Sequence, residues 1–339
     1  MKQYSVALVG IGLVGAEVLK IMRERNFPVK DVSILARRKR IEVIDGTEYS
    51  VEPASVEGFE GVDIAIFAGT EGAKGASMQY GWEAVKKGAV VVDNGDDFRM
   101  DPRVPLVVPE INPGALKKHR GFIANPNCST IQMVMAMAPL HRIARIKRVV
   151  VSTYQAVSGT GGGAVRELEN QVRDVPQGKP PVIENYPYQI FSNAIPQISS
   201  LKNEYPGYYG EEIKMVKETH KIFDDTDIGV SATCVRVPVM NSHSETLNIQ
   251  FEKKITVKEA VKALEEFPGI EVIDDPADSL YPMPLEASGK DEVFVGRIRE
   301  DSTAPNALNL WVVSDNIRKG AALNAVQIAE KLIEMGLVK

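Results

Sequence analysis

Along the first third of the chain, apolar positions alternate between two textures. Short continuous runs, SVALVG from Ser5, VSIL from Val32, VDIAIFAG from Val62 and AVVVDN from Ala89, read as strands buried on both faces. AEVLKIMRERN and GWEAVKKG instead space their apolar residues as helices do, with Val18, Leu19 and Met22 on one side of the first. GFIAN adds a short strand just before Pro126. Strands alternating with helices predict an α/β domain, a Rossmann-type doubly wound parallel sheet.

From about residue 146 the pattern changes. RVVVSTYQAV, ATCVRVPV and SETLNIQFE alternate with period two, which predicts a mixed or antiparallel sheet in a second, α+β domain. Between them, Pro176 to Gly210 is rich in Pro, Tyr and Asn and has little regularity, the texture of an arm, a lid or an interface element. The tail, NIRKGAALNAVQIAEKLIEMG, reads as a helix with Ala321, Ala322, Ala325 and Ile328 on one face, expected to return to the first domain. The expected division is therefore 1–127 with 318–339, and 128–317 as an insertion.

Composition narrows the possibilities. The 339 residues suffice for two cores, and 44% hydrophobic with 25% charged residues is ordinary for a globular protein. A formal charge of -5 gives no electrostatic reason to expect nucleic acid or an anionic membrane as partner. Two cysteines, Cys128 and Cys234, make no disulfide framework and no zinc-ligand pattern, so no metal is expected and a reducing cytoplasm suits them. MKQYSVALVG reads as a first strand and not as a signal peptide, and no apolar run reaches the length of a membrane span.

GIGLVG, from Gly10 through Gly12, Leu13 and Val14 to Gly15, follows a strand and opens a helix. Its glycines permit a tight turn in which backbone N–H groups meet a pyrophosphate, the dinucleotide fingerprint. After VSIL the carboxylate that holds the ribose of NAD is missing. Arg37, Arg38, Lys39 and Arg40 stand there instead, which suits the 2′-phosphate of NADP(H); a solvated basic turn is the plainer alternative.

ANPNCSTIQMVMA places Cys128 at the start of an apolar helix, after Asn127 and before Ser129 and Thr130. A thiolate is stabilised there, although a lone cysteine is more commonly a buried filler. Of the four histidines, His119 and His220 lie in charged stretches and His141 follows an apolar helix. His243, in the polar turn MNSHSE between two strands, is the best partner for the sulfur.

NPNCST, STYQAVSGTGG, RVPVMNSHSE, WVVSDNIRKGAALNAVQIAE and DNGDDFRMDPRVPLVVPEINP together resemble the aspartate-semialdehyde dehydrogenases over nearly the whole chain. The resemblance implies an NADP-dependent phosphorylating aldehyde dehydrogenase of lysine, threonine and methionine biosynthesis. It implies reversible reduction of 4-aspartyl phosphate to aspartate semialdehyde and phosphate through a thioester on Cys128. His243 would be the general acid/base and Gln155 would orient the substrate. Arg99, Asn127, Glu211, Lys214 and Arg236 match substrate- or phosphate-binding positions, while Ser158, Gly159 and Asn316 match positions near the nicotinamide. A homodimer is implied, with a homotetramer as the alternative.

Arg236 also reads from its own context, since a guanidinium among valines needs an anionic partner: a substrate carboxylate or an internal salt bridge. GEEIKMVKE, with Glu211 and Lys214 at i and i+3, reads by itself as a solvated charged helix. The turn GIGLVG is one residue shorter than the family's usual loop, and Asp96 and Asp97 add two carboxylates near Arg99. Two alternatives stand beside the main reading: a related reductase, such as one acting on N-acetyl-glutamyl phosphate, and a catalytically silent Rossmann binding protein.

Overall fold

The computed structural model describes residues 2–69 and 75–338. It divides into two compact units, one built from the chain up to Asn127 with the segment from Ala321 onward, the other from Cys128–Gly320.

In the first unit, β1 (Tyr4–Val9), β2 (Val29–Ala36), β3 (Arg40–Ile44), β4 (Thr47–Pro53), β5 (Ile64–Phe67), β6 (Val90–Asp93) and β7 (Phe122–Ala124) form one sheet, in the order β3-β4-β2-β1-β5-β6-β7. All its pairings are parallel except β3–β4. That edge hairpin is absent from the sequence reading, because Ile41 and Val43 are exposed and give no buried alternation. Its signal is Asp45-Gly46, both at positive φ, the turn chemistry of a two-residue hairpin.

The helix Leu13–Glu24 buries Val18, Leu19, Ile21 and Met22, and ends where Asn26 turns left-handed. The helix Leu323–Glu334 joins the same core through Val326, Ile328, Ala329 and Leu332, against Leu8, Ile34 and Ile66. At about 1.5–3 kcal/mol for each large apolar side chain buried, this packing outweighs the half-exposed Arg25–Glu330 ion pair at 2.7 Å between the helices.

In the second unit, β8 (Ile146–Gln155), β9 (Gly229–Arg236), β10 (His243–Phe251), β11 (Ile270–Val272), β12 (Val293–Glu300) and β13 (Ala307–Ser314) run in the order β11-β12-β13-β10-β8-β9. β8–β9 and β11–β12 are parallel and the other pairings antiparallel, the mixed sheet that the period-two alternation predicts. The helix Cys128–Ile143 lies on one face, against β8, β10, β12 and β13. Ser129 through Leu140 are all buried, so this helix is enclosed on every side and has no solvent stripe. On the opposite face Tyr154 is 40% exposed and its ring packs on Trp311, 5.6 Å between centroids.

The low-regularity stretch is held by one helix, Gly162–Asp174. Glu167 Oε2 accepts the backbone N–H groups of Glu184 and Asn185, and Gln171 Oε1 those of Ile190 and Phe191. Ile190 and Ile195 bury against Val157, Ala164 and Leu168. Ile195 then exchanges both backbone hydrogen bonds with Arg236, each 2.9 Å, which fixes the outer edge of β9.

Residues 318–320 group with the second unit rather than with the first. Arg318 pairs with Asp291 at 2.7 Å, and a Cβ at Gly320 would stand 2.9 Å from Cys128 Cβ. No helix among the described residues is long and apolar enough to cross a membrane.

Candidate active site

Register places the side chains of the second unit. His243 is opposite Ser314 on β13, Glu245 opposite Thr153 on β8, and on β9 Cys234 and Arg236 are opposite Thr153 and Gln155. Successive strand residues alternate faces. On the face that the Cys128–Ile143 helix covers there are thus two rows: Ser314, His243, Gln155 and Arg236, and beneath them Val312, Glu245, Thr153 and Cys234.

Cys128 is the first residue of its helix and half-buried. Gly320 packs on its Cβ, and the same glycine lies beside Asn316. The Asn316 amide exchanges hydrogen bonds with Ser158 Oγ at 3.0 and 3.1 Å and accepts the Ser242 N–H at 2.9 Å. Gly159, next in the chain, faces both His243 and Arg236: a Cβ there would stand 3.1 Å from His243 Nε2 and 3.0 Å from Arg236 Nη1. Cys128, Asn316, Ser158, Gly159, His243 and Arg236 are therefore one continuous cluster.

His243 is the first residue of β10 and fully buried, not a member of the polar turn. Its Nδ1 accepts the Ala156 N–H at 3.0 Å, while Nε2 is buried with no hydrogen-bond partner among the described residues. Burial, then the nearby Arg236 charge, lowers its pKa to about 3, with Glu211 opposing. The other three histidines serve local backbone: His119 and His141 accept N–H groups of Gly121 and Ile146, and His220 meets the Ile228 carbonyl.

Arg236 is buried, donates from Nη1 to the Ala156 carbonyl at 2.5 Å, and has an unpartnered Nε. It makes no ion pair among the described residues, so the internal salt bridge is ruled out there. Burying an uncompensated guanidinium costs several kcal/mol, which an arriving anion would offset. Gln155 is buried too; its Nε2 donates to Glu211 Oε1 at 3.1 Å and its Oε1 accepts from Thr153 at 3.0 Å. Glu211 is only 5% exposed, with Lys214 at 3.7 Å, so this turn of the helix Gly210–Phe223 is not the solvated face its composition suggests.

The first unit holds the remaining candidates. Gly10, φ +99°, follows β1 where the strand order reverses between β1 and β5. A Cβ on Gly10 would meet Ala68 and Gly69 at 2.8 Å, and one on Gly15 the Gly10 carbonyl at 2.2 Å, whereas one on Gly12 meets nothing within 4 Å among the described residues. Gly12 is the N-cap of the Leu13–Glu24 helix, and no side chain caps it, so the turn is closed below and open above the first N–H groups. Leu13 is exposed and Val14 half-buried. Lys39 and Arg40 pair with Glu52 and Glu42, and Arg37 and Arg38 are both exposed.

Arg99 is buried, donating to the carbonyls of Asn125 at 2.9 Å and Asn94 at 2.8 Å, and Asn127 is buried as well. Nearby Asp93 is pushed up to about 6 by burial, against the Gly95 N–H and the Arg99 charge. Cys234 is sealed in the sheet, its thiol pushed well up by burial and the Glu211 charge, so it is no second nucleophile. No cluster of His, Cys, Asp or Glu fit to hold a metal occurs among the described residues. Sequence reasoning missed Thr153, which donates to Gln155, and the buried Gln132 and Glu245; the last is legible only once His243 and Glu245 are placed two apart on a strand.

Two family models cover the chain: a semialdehyde dehydrogenase NAD binding domain matches residues 5–119, and a semialdehyde dehydrogenase dimerisation domain matches 137–319. These define the class, semialdehyde dehydrogenases. Relatives named aspartate-semialdehyde dehydrogenase include one from Aquifex aeolicus (strain VF5), 50% identical over 99% of both chains, and one from Bacillus subtilis (strain 168), 46% identical over 98% of both. A crystal structure of aspartate semialdehyde dehydrogenase II from Vibrio cholerae, complexed with ASA, superposes with a TM-score of 0.93 at 40% identity, covering 98% of this chain and 99% of that one. The chain belongs to the aspartate-semialdehyde dehydrogenase family.

Proposed function

We propose that this protein reduces 4-aspartyl phosphate to aspartate semialdehyde and phosphate, reversibly, through a thioester on Cys128. The observation that carries the reading is the buried Arg236, without a counter-ion among the described residues, beside the buried His243 Nε2, which has no partner among them either, in the cluster that includes Cys128. Arg236 binds the α-carboxylate of the substrate, and Glu211, with Lys214 and Gln155 beside it, takes the amino end. Arg99 and Asn127 serve the phosphate.

The Cys128 thiolate attacks the acyl carbon; a C–S bond forms, the bond to phosphate oxygen breaks, and phosphate leaves with the electron pair. NADPH, when bound, supplies the hydride that reduces the thioester carbon. The thiohemiacetal oxyanion then re-forms its carbonyl as the C–S bond breaks, returning thiolate and aldehyde. With Cys128 entering and leaving as thiolate, the sequence takes up one proton, carried by the departing phosphate, which is released as hydrogen phosphate.

His243 has a defined part in this. Because Nδ1 accepts the Ala156 N–H, the neutral ring carries its proton on Nε2. The other tautomer would set two N–H groups against each other. His243 thus donates from Nε2 to the negative charge that develops at the substrate oxygen, the donor side of the general acid/base role expected from sequence.

The glycine turn supports a bound dinucleotide, and exposed Arg37 and Arg38, with Lys39 and Arg40 engaged by carboxylates, support the 2′-phosphate of NADP(H). Exposed Val182, Ile183, Tyr188 and Leu201 in the arm, with the open sheet face at Tyr154, support a homodimer built on the second unit. The test is an assay with aspartate semialdehyde and NADP, following absorbance of reduced nicotinamide. Turnover that requires phosphate is expected; turnover indifferent to phosphate, or obtained only with N-acetyl-glutamate semialdehyde, would overturn the reading.

A further inference from the structure

Cys128 and Gln132 are four residues apart on one helix and therefore share a face. His243 and Glu245 are two apart on β10 and share a face of the sheet. The helix packs on that face, so beneath the sulfur and the imidazole lies a second pairing, Gln132 with Glu245. Both residues are fully buried. Gln132 Oε1 accepts from Ser314 Oγ at 2.9 Å, and Ser314 is opposite His243 across the β10–β13 ladder. Gln132 Nε2 and both Glu245 oxygens are buried without a partner at full hydrogen-bond geometry among the described residues, while the Gln132 amide lies close enough to Glu245 to favour its charged form. A buried amide and a buried carboxyl group with no other partner are costly unless each satisfies the other.

We propose that Glu245 is a positioning residue: its carboxyl group accepts a hydrogen bond from Gln132 Nε2 and so ties the helix that begins at Cys128 to the strand that begins at His243. The inference rests on the reading of those two residues as nucleophile and donor. Burial, reinforced by the Glu211 charge, raises the Glu245 pKa well above the usual carboxylate range, and the Gln132 amide opposes the rise. Burial thus favours the neutral form of Glu245, in which it adds no charge beside His243. A neutral strut holds distance and angle without shifting the titration of the groups above it.

The strut is tested with Glu245→Gln, Glu245→Leu, Gln132→Leu and the double variant Glu245→Leu/Gln132→Leu. Glu245→Gln keeps a neutral acceptor of the same shape and should hold kcat within about twofold of the parent. Each leucine variant should lower kcat by about 10–100-fold, the cost of a misplaced reacting pair, with the KM for aspartate semialdehyde nearly unchanged. The double variant should be no slower than the slower single one, because the two side chains act through one bond. A Glu245→Gln enzyme as slow as Glu245→Leu, a fully active Gln132→Leu enzyme, or losses that multiply in the double variant would overturn the proposal. Should the leucine variants fail to fold, the infrared difference between parent and Glu245→Gln still decides: the carbonyl stretch of a protonated carboxyl group must be present in the parent near neutral pH, and its absence refutes the neutral strut. That band does not depend on what the sulfur does, whereas failure of the covalent reading would appear as turnover by Cys128→Ala.

Discussion

His243 and Arg236 meet across Gly159, whose missing side chain leaves a methyl-sized space bounded by the imidazole Nε2 at 3.1 Å and the guanidinium Nη1 at 3.0 Å. Neither neighbour can yield freely. His243 is anchored through Nδ1 to Ala156 N–H, and Arg236 through Nη1 to the carbonyl of the same residue. Gly159→Ala is therefore expected to push donor and carboxylate binder apart and to lower kcat/KM by about 10–100-fold, on the scale that small misplacements of reacting groups cost. Steady-state kinetics check this; a variant with parental kcat/KM would show that the space is not needed.

The assignment of His243 as a donor predicts how its replacements differ. His243→Ala removes the Nε2–H and should slow turnover by about 10²–10³-fold, the usual cost of losing one donor to a developing oxyanion. His243→Gln retains an amide N–H and should lose distinctly less. Equal, large losses in both variants would favour an obligatory proton transfer instead.

Arg236→Lys keeps the charge but loses the planar fork. With one or two charge-assisted hydrogen bonds to the carboxylate gone, at about 1.5–3 kcal/mol each, the KM for aspartate semialdehyde should rise at least about tenfold. An unchanged KM with a lowered kcat would assign the guanidinium to the reacting oxygen instead.

Acidification should expose the burial of His243. A group whose pKa is about 3 when folded and ordinary when unfolded binds more protons in the unfolded state between those values. Its contribution to stability is thus complete at neutral pH and falls as pH drops from about 6.5 toward 3, by roughly 1.4 kcal/mol per pH unit. Asp93 and Glu245, raised by burial, act with the opposite sign. The informative quantity is therefore the stability difference between parent and His243→Gln, followed by urea unfolding at several pH values. That difference should shift against the parent as pH falls; a constant difference would mean that the folded ring titrates normally.

How far these features are legible in the sequence depends on whether their signal is local. The turn at Gly10–Gly15 and the helix start at Cys128 are carried by adjacent residues, and so is the parallel sheet, through its buried strand runs. Glu211 was not legible by itself, because its burial comes from β9, which follows it in the chain, and from Gln155, which lies far before it. Glu245 and Gln132 each break an apolar pattern, but only the packing of the Cys128–Ile143 helix on β10 shows that the two breaks face each other. The β3–β4 hairpin escaped notice for a different reason. Ile41, Glu42 and Val43 alternate over only a few residues and their apolar side chains stay exposed at the sheet edge, so Asp45-Gly46 is the clearer mark of the turn.

The covalent step is tested most directly by mass spectrometry of the intact protein, quenched in acid after mixing with 4-aspartyl phosphate in the absence of nucleotide. The account predicts one added aspartyl group per chain, located by digestion on the peptide that contains Cys128, with release of an equal amount of phosphate and no adduct on Cys128→Ala. An unmodified protein that nonetheless turns over when NADPH is supplied, or an adduct on any other residue, would contradict it.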